Sequence, residues 1–111
     1  MPDGISTIVH PVSDLPKATA FYRAYLGADP TSESPYYVGF TIGGQEIGLD
    51  PNGHRDGTVS YREVDDVASA VQALLSAGGT VRAEPRDVGG LLVATVADPD
   101  GNLVGLRGPA R

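Results

Sequence analysis

The sequence predicts an α+β fold made of two copies of one β-α-β-β-β module. Three observations carry this reading. Short β-branched runs dominate and are interrupted by only two helical stripes, and glycine-rich turns join the later strands of each half as hairpins. The second half also repeats the landmarks of the first at an offset of 52 residues.

The elements follow in order. Ile5 to Val12 is rich in β-branched residues and reads as a strand. Asp14 is placed as an N-cap, with Pro16 in the first turn, where its missing N–H costs nothing. Leu15, Ala18, Tyr22 and Leu26 fall at helical spacing, and Gly27 ends the helix. Tyr36 to Ile42, the turn Gly43-Gly44 and Gln45 to Leu49 form a hairpin. Asp50 to Gly57 has turn chemistry throughout and is the linker.

The order then restarts. Thr58 to Val64 is a strand and Asp66 an N-cap. Val67, Ala70, Val71 and Leu74 form the apolar stripe, and Gly78-Gly79 is the stop. Thr80 to Ala83 is a short strand, and Leu91 to Ala97 and Leu103 to Arg107 flank the turn Asp98-Pro99-Asp100-Gly101. Val12 overlays Val64, Asp14 overlays Asp66, Ala18 overlays Ala70 and Gly27 overlays Gly79. Ile47-Gly48-Leu49 matches Val104-Gly105-Leu106 once the longer second turn is allowed for. A doubly wound parallel sheet is the competing arrangement; the several short turns after each helix favour hairpins. The chain thus reads as one domain, 1–111, with module one at about 4–50 and module two at about 58–108.

Composition narrows the function classes. The 111 residues carry 14 acidic and 8 basic side chains, a net charge of −6. That balance argues against nucleic acid, which needs a basic stripe. It suits a neutral or cationic ligand, and equally a surface that only keeps the protein in solution. The absence of cysteine excludes disulfides, thiolate metal sites and cysteine nucleophiles. No apolar run has the length of a membrane span, and the start, Met1-Pro2-Asp3-Gly4, lacks the pattern of a signal peptide. A cytoplasmic protein is the expectation.

Three segments at these separations, Val12–Gly27, Val64–Gly78 and Asp98–Leu106, resemble the vicinal oxygen chelate superfamily. This group contains glyoxalase I, bleomycin-resistance proteins and extradiol dioxygenases. The resemblance implies two βαβββ modules whose mixed sheets curl into an open bowl around one site, with the helices outside, usually within a homodimer. It also implies a divalent metal that chelates two substrate oxygens in the enzymes of the group. The positions that supply its ligands there read Thr7, Gly48, Val59 and Gly105 here. None is a normal ligand for a catalytic transition metal, so no metal and no cofactor are expected. Glycine at two of these positions would leave room for a ligand body; a bulge or close backbone approach explains the same residues.

Strand alternation then names the residues that share a face with those positions. In module one they are Thr7, Val9, Glu46, Gly48 and Asp50; in module two, Val59, Tyr61, Glu63, Gly105 and Arg107. The lining predicted is an acidic rim, an aromatic surface and an apolar floor, suited to a small organic molecule. Solvated strand ends account equally well for Glu46, Asp50 and Glu63. Tyr36, Tyr37 and Phe40 would add an aromatic wall on one parity of their strand. His10 has the opposite parity from Thr7 and is expected to pack toward the helix, with Arg62 at its equivalent in module two. His54, in the linker, reads as solvated. No G-x-S-x-G, H-E-x-x-H or G-x-G-x-x-G motif occurs.

The expected function is metal-free binding of a small organic molecule, cationic or aromatic, in the manner of bleomycin-resistance proteins. The alternative is an enzyme of the same superfamily: a lyase, isomerase or dioxygenase, with displaced metal ligands or with Glu46, Glu63 or His10 as a base.

Overall fold

The computed structural model describes residues 4–52 and 57–110. Its elements are β1 (Ile5–Pro11), α1 (Leu15–Leu26), β2 (Ser32–Ser34), β3 (Tyr37–Ile42), β4 (Gln45–Asp50), β5 (Val59–Glu63), α2 (Val67–Ser76), β6 (Thr80–Val88), β7 (Leu91–Ala97) and β8 (Leu103–Pro109). Contacts divide the chain into a first unit, Ser6–Thr58, and a second unit, Val59 onward together with the initial residues through Ile5.

In the first unit β2, β3 and β4 form an antiparallel meander, and β1 adds to β4 in parallel. A parallel pair needs a connection that crosses back over the sheet, and the helix-containing segment between β1 and β4 supplies it. The second unit repeats this: β6, β7 and β8 are antiparallel, and β5 adds to β8 in parallel. Each half is therefore a mixed four-stranded sheet with one helix, the βαβββ module read from the sequence.

Both helices begin in the same way. The Asp14 carboxylate accepts the Lys17 N–H at 3.0 Å, and Asp66 accepts the Ser69 N–H at 3.1 Å, each filling one orphan donor of the first turn. Gly27 caps α1 in the left-handed region at φ 68°, donating its N–H to the Arg23 carbonyl, a conformation that costs glycine least.

Each unit buries its own core between helix and sheet. In the first, Val38, Phe40 and Leu49 pack with Leu15, Ala18, Tyr22 and Leu26 of α1. In the second, Val67 and Val71 of α2 meet Ala94, Val96 and Leu106. Burial of such side chains is worth about 1.5–3 kcal/mol each.

Two strands depart from expectation. Ser32–Ser34 forms the edge strand β2; its Ser-Glu-Ser sequence is fully exposed and carries no apolar alternation to announce it. Thr80 to Ala83 continues to Val88, through Pro85, with register shifts either side of Ala83. An edge strand tolerates proline because its outer N–H groups pair with nothing, and the shifts absorb the mismatch.

Candidate functional site

Alternation along the strands separates a helix-packed face from an opposite face in each unit. Phe40, Ile47 and Leu49 lie under α1, so their neighbours Gly39, Glu46, Gly48 and Asp50 lie on the other side. Thr7 pairs with Glu46, Val9 with Gly48 and Pro11 with Asp50 across the β1–β4 ladder. The five residues predicted for module one are thus collected on one face.

Tyr37 completes that face. Its ring lies over Gly48, and a Cβ built on Gly48 would collide with the hydroxyl and ring carbons of Tyr37. The Tyr37 hydroxyl donates a hydrogen bond to Glu46 Oε2. Asp50 is engaged locally, its carboxylate accepting the Asn52 N–H at 2.8 Å. Of the three aromatics that open β3, only Tyr37 faces this way; Phe40 is fully buried under α1, and Tyr36 is exposed.

The residues predicted for module two are likewise collected on the face of the second unit opposite α2. Tyr61 pairs with Gly105 and Glu63 with Arg107 across the β5–β8 ladder. The Tyr61 ring lies on Gly105, where a Cβ would meet Cδ1 and Cε1. Arg107 Nε donates to Glu63 Oε2 at 2.6 Å. Val59 is buried beside Ala97 and Leu103, with Tyr61 packed against them. The acidic rim is therefore smaller than the sequence suggested: Arg107 offsets Glu63, which leaves Glu46 and Asp50 as the other two carboxylates of that set.

The space left by glycine is also used differently. Tyrosine rings lie on Gly48 and on Gly105, so the missing side chains make room for protein rather than only for a ligand. The two rings reach equivalent glycines from non-equivalent places. Tyr37 comes from the antiparallel neighbour of its glycine strand, and Tyr61 from the parallel one. Strand parity left open which of these aromatics would share the face of Gly48, and no spacing specifies the reach of Tyr37 to Glu46.

His10 lies on the helix-packed face, stacked on Tyr22 with ring centroids 5.3 Å apart, and its Nδ1 is 2.8 Å from Thr58 Oγ1. Burial there favours the neutral imidazole and lowers its pKa below 6.5. His54 lies outside the described residues.

The amino-acid pattern over residues 4–106 matches the model of the Glyoxalase/Bleomycin resistance protein/Dioxygenase superfamily. The chain belongs to that superfamily. Solved structures of similar fold agree. A Streptomyces coelicolor methylmalonyl-CoA epimerase variant, in complex with 2-nitronate-propionyl-CoA, is 19% identical, with 99% of this chain and 96% of that one covered and a TM-score of 0.76. A hypothetical protein from Bacillus halodurans is 16% identical, with 97% and 95% covered and a TM-score of 0.76. A glyoxalase/bleomycin resistance protein/dioxygenase superfamily member from Vibrio splendidus is 19% identical, with 94% and 97% covered and a TM-score of 0.68. No curated protein matches the sequence. At these identities the likeness to solved structures establishes the fold.

The metal expected of the superfamily's enzymes does not fit the donors present. Thr7 offers a hydroxyl, Val59 offers nothing, and Gly48 and Gly105 are covered by tyrosine rings. Among the described residues no group of three or more His, Asp and Glu side chains lies together. Nor, among them, is any helix long and apolar enough to cross a membrane.

Proposed function

We propose that this superfamily member binds a small organic molecule without a metal, and that the ligand is cationic or aromatic. The observation that carries the reading is the pair of glycines, Gly48 and Gly105, each overlaid by a tyrosine ring. Where the enzymes of the superfamily place metal-binding carboxylates, this chain has aromatic surface instead. Aromatic faces attract cations and flat rings, with about 0.5–2 kcal/mol for each well-placed cation–π contact. Glu46, beside Tyr37, supplies negative charge on the same face.

The test has two arms. Metal analysis of the purified protein is expected to find no near-stoichiometric Ni, Zn, Fe or Mn. A thermal-shift screen of cationic aromatic compounds is expected to raise the melting temperature for at least one, as ligand binding to the folded state must. Stoichiometric metal, or a panel without any stabilising compound, would overturn the reading. Assembly as a homodimer is part of the proposal, with sedimentation at micromolar concentration as its check.

One observation favours a second reading. The Tyr37 hydroxyl and the Glu46 carboxylate form an acid and a base in direct contact, and one structure of similar fold is a methylmalonyl-CoA epimerase. Under this reading Glu46 exchanges a proton with the ligand while Tyr37 holds its second position. Ligand-dependent deuterium exchange from solvent, abolished by Glu46→Gln with binding retained, separates catalysis from sequestration.

A further inference from the structure

We infer that the second unit carries another small-molecule site, on the helix side of its sheet, which takes a single planar aromatic ring without positive charge. A cleft of about 290 Å³ opens there, lined by Ser60 and Arg62 of β5, Ala73 and Leu74 of α2, and Val104 of β8 among others.

The repeat explains the cleft and what fits it. The offset of 52 sets Ser60 against Ile8, Arg62 against His10, Ala73 against Phe21 and Leu74 against Tyr22. The ladders agree: Ile8 and His10 pair with Ile47 and Leu49, as Ser60 and Arg62 pair with Val104 and Leu106. In the first unit this place is filled. The Tyr22 ring stacks on His10 with an interplanar angle of 18°, and Phe21 meets Tyr22 edge-on at 5.2 Å. In the second unit Ile8, Phe21, Tyr22 and Ile47 are all replaced by smaller side chains. Arg62, at the register position of His10, remains on the lining as a polar platform.

A guanidinium stacks on aromatic faces while its N–H groups bond in its own plane, so Arg62 keeps its hydrogen bonds and still presents a face. The ring that the first unit supplies covalently is the ring that the second unit takes from solution. The cation of the platform repels cationic ligands and favours neutral or anionic ones, and the Ser60 hydroxyl offers a hydrogen bond to a ring substituent. This preference is opposite in charge to that proposed for the Glu46 face, and it stands on different residues.

Titration of ¹⁵N-labelled protein with sodium benzoate tests the site. Saturable shifts are expected at the amides of Ser60, Arg62, Ala73 and Leu74, and no response there to benzylamine. Leu74→Tyr supplies the missing ring and Ala73→Phe sets a ring at the edge of the cleft, and each is expected to weaken benzoate binding at least tenfold while the spectrum stays dispersed. If one of them unfolds, the other decides. The inference falls if benzoate leaves these amides unmoved, if its binding survives a folded ring-filling variant, or if benzylamine acts equally. It falls too if the same amides broaden with protein concentration alone, which would place a second copy of the chain in the cleft.

Discussion

The ring of Tyr61 lies against Gly105, its partner across the β5–β8 ladder, at a position where a Cβ would stand well inside the 3.0 Å that real Cβ atoms keep. Tyr37 stands in the same relation to Gly48. Neither glycine has a positive φ, so backbone freedom is not the reason for it. The reason is the ring above.

Gly105→Ala and Gly48→Ala are therefore expected to destabilise the protein by about 1–3 kcal/mol each, the usual cost of overpacking. Tyr61→Ala should remove the clash, so that Gly105→Ala costs much less in its background. Chemical denaturation of the four proteins of that cycle measures the coupling. Additive effects would show that Tyr61 is not what the glycine accommodates.

Glu46 and Tyr37 are expected to act differently on ligand affinity. Glu46→Gln removes the charge and should weaken a cationic ligand about five-fold, the scale of a half-exposed charge contact near 1 kcal/mol. Tyr37→Phe keeps both the aromatic face and the Glu46 side chain, so its effect should be smaller. Calorimetry with the best cation from the thermal-shift screen provides the comparison. A larger loss from Tyr37→Phe would make the hydroxyl, not the charge, the recognition element.

The paired caps predict paired costs. Asp14→Ala and Asp66→Ala each leave a first-turn N–H without its carboxylate and should cost about 1 kcal/mol, whereas Asn at either position should cost only a few tenths. Thermal unfolding of the four variants checks this. The Asp66 variants should lose slightly more, because the Asp66 carboxylate also accepts the Ser69 hydroxyl at 3.1 Å.

What could be read from the sequence divides along a physical line. The modules, both caps and the membership of each strand face follow from local chemistry and a period of two, so Thr7, Glu46 and Gly48 fall on one face as expected. Contacts that depend on side-chain reach do not. Tyr37 touches Glu46 from the neighbouring strand, and Arg107 neutralises Glu63 across 44 residues of chain. Both alter the charge of the candidate site, and neither has a signature in spacing. Strand β2 was illegible for a different reason: three exposed residues at an edge bury nothing, so no pattern of hydrophobicity specifies them.

His10 gives the last prediction, in pH. Burial against Tyr22 lowers its pKa in the folded protein below the ordinary 6.5. Above pH 6.5 the imidazole is neutral in both states and adds no slope to stability. As pH falls from 6.5 through the lower folded value, the unfolded chain takes up a proton that the folded protein refuses, so stability declines. Below the folded value both states are protonated and the contribution stops changing. The difference in stability between wild type and His10→Gln should therefore narrow or reverse as pH falls from 7.5 toward 5. Two-dimensional NMR of the imidazole, assigned by that variant, should place the folded midpoint below 6.5. A midpoint at or above 6.5 would mean that His10⁺ is accommodated at the Tyr22 stack, and that burial is not what controls it.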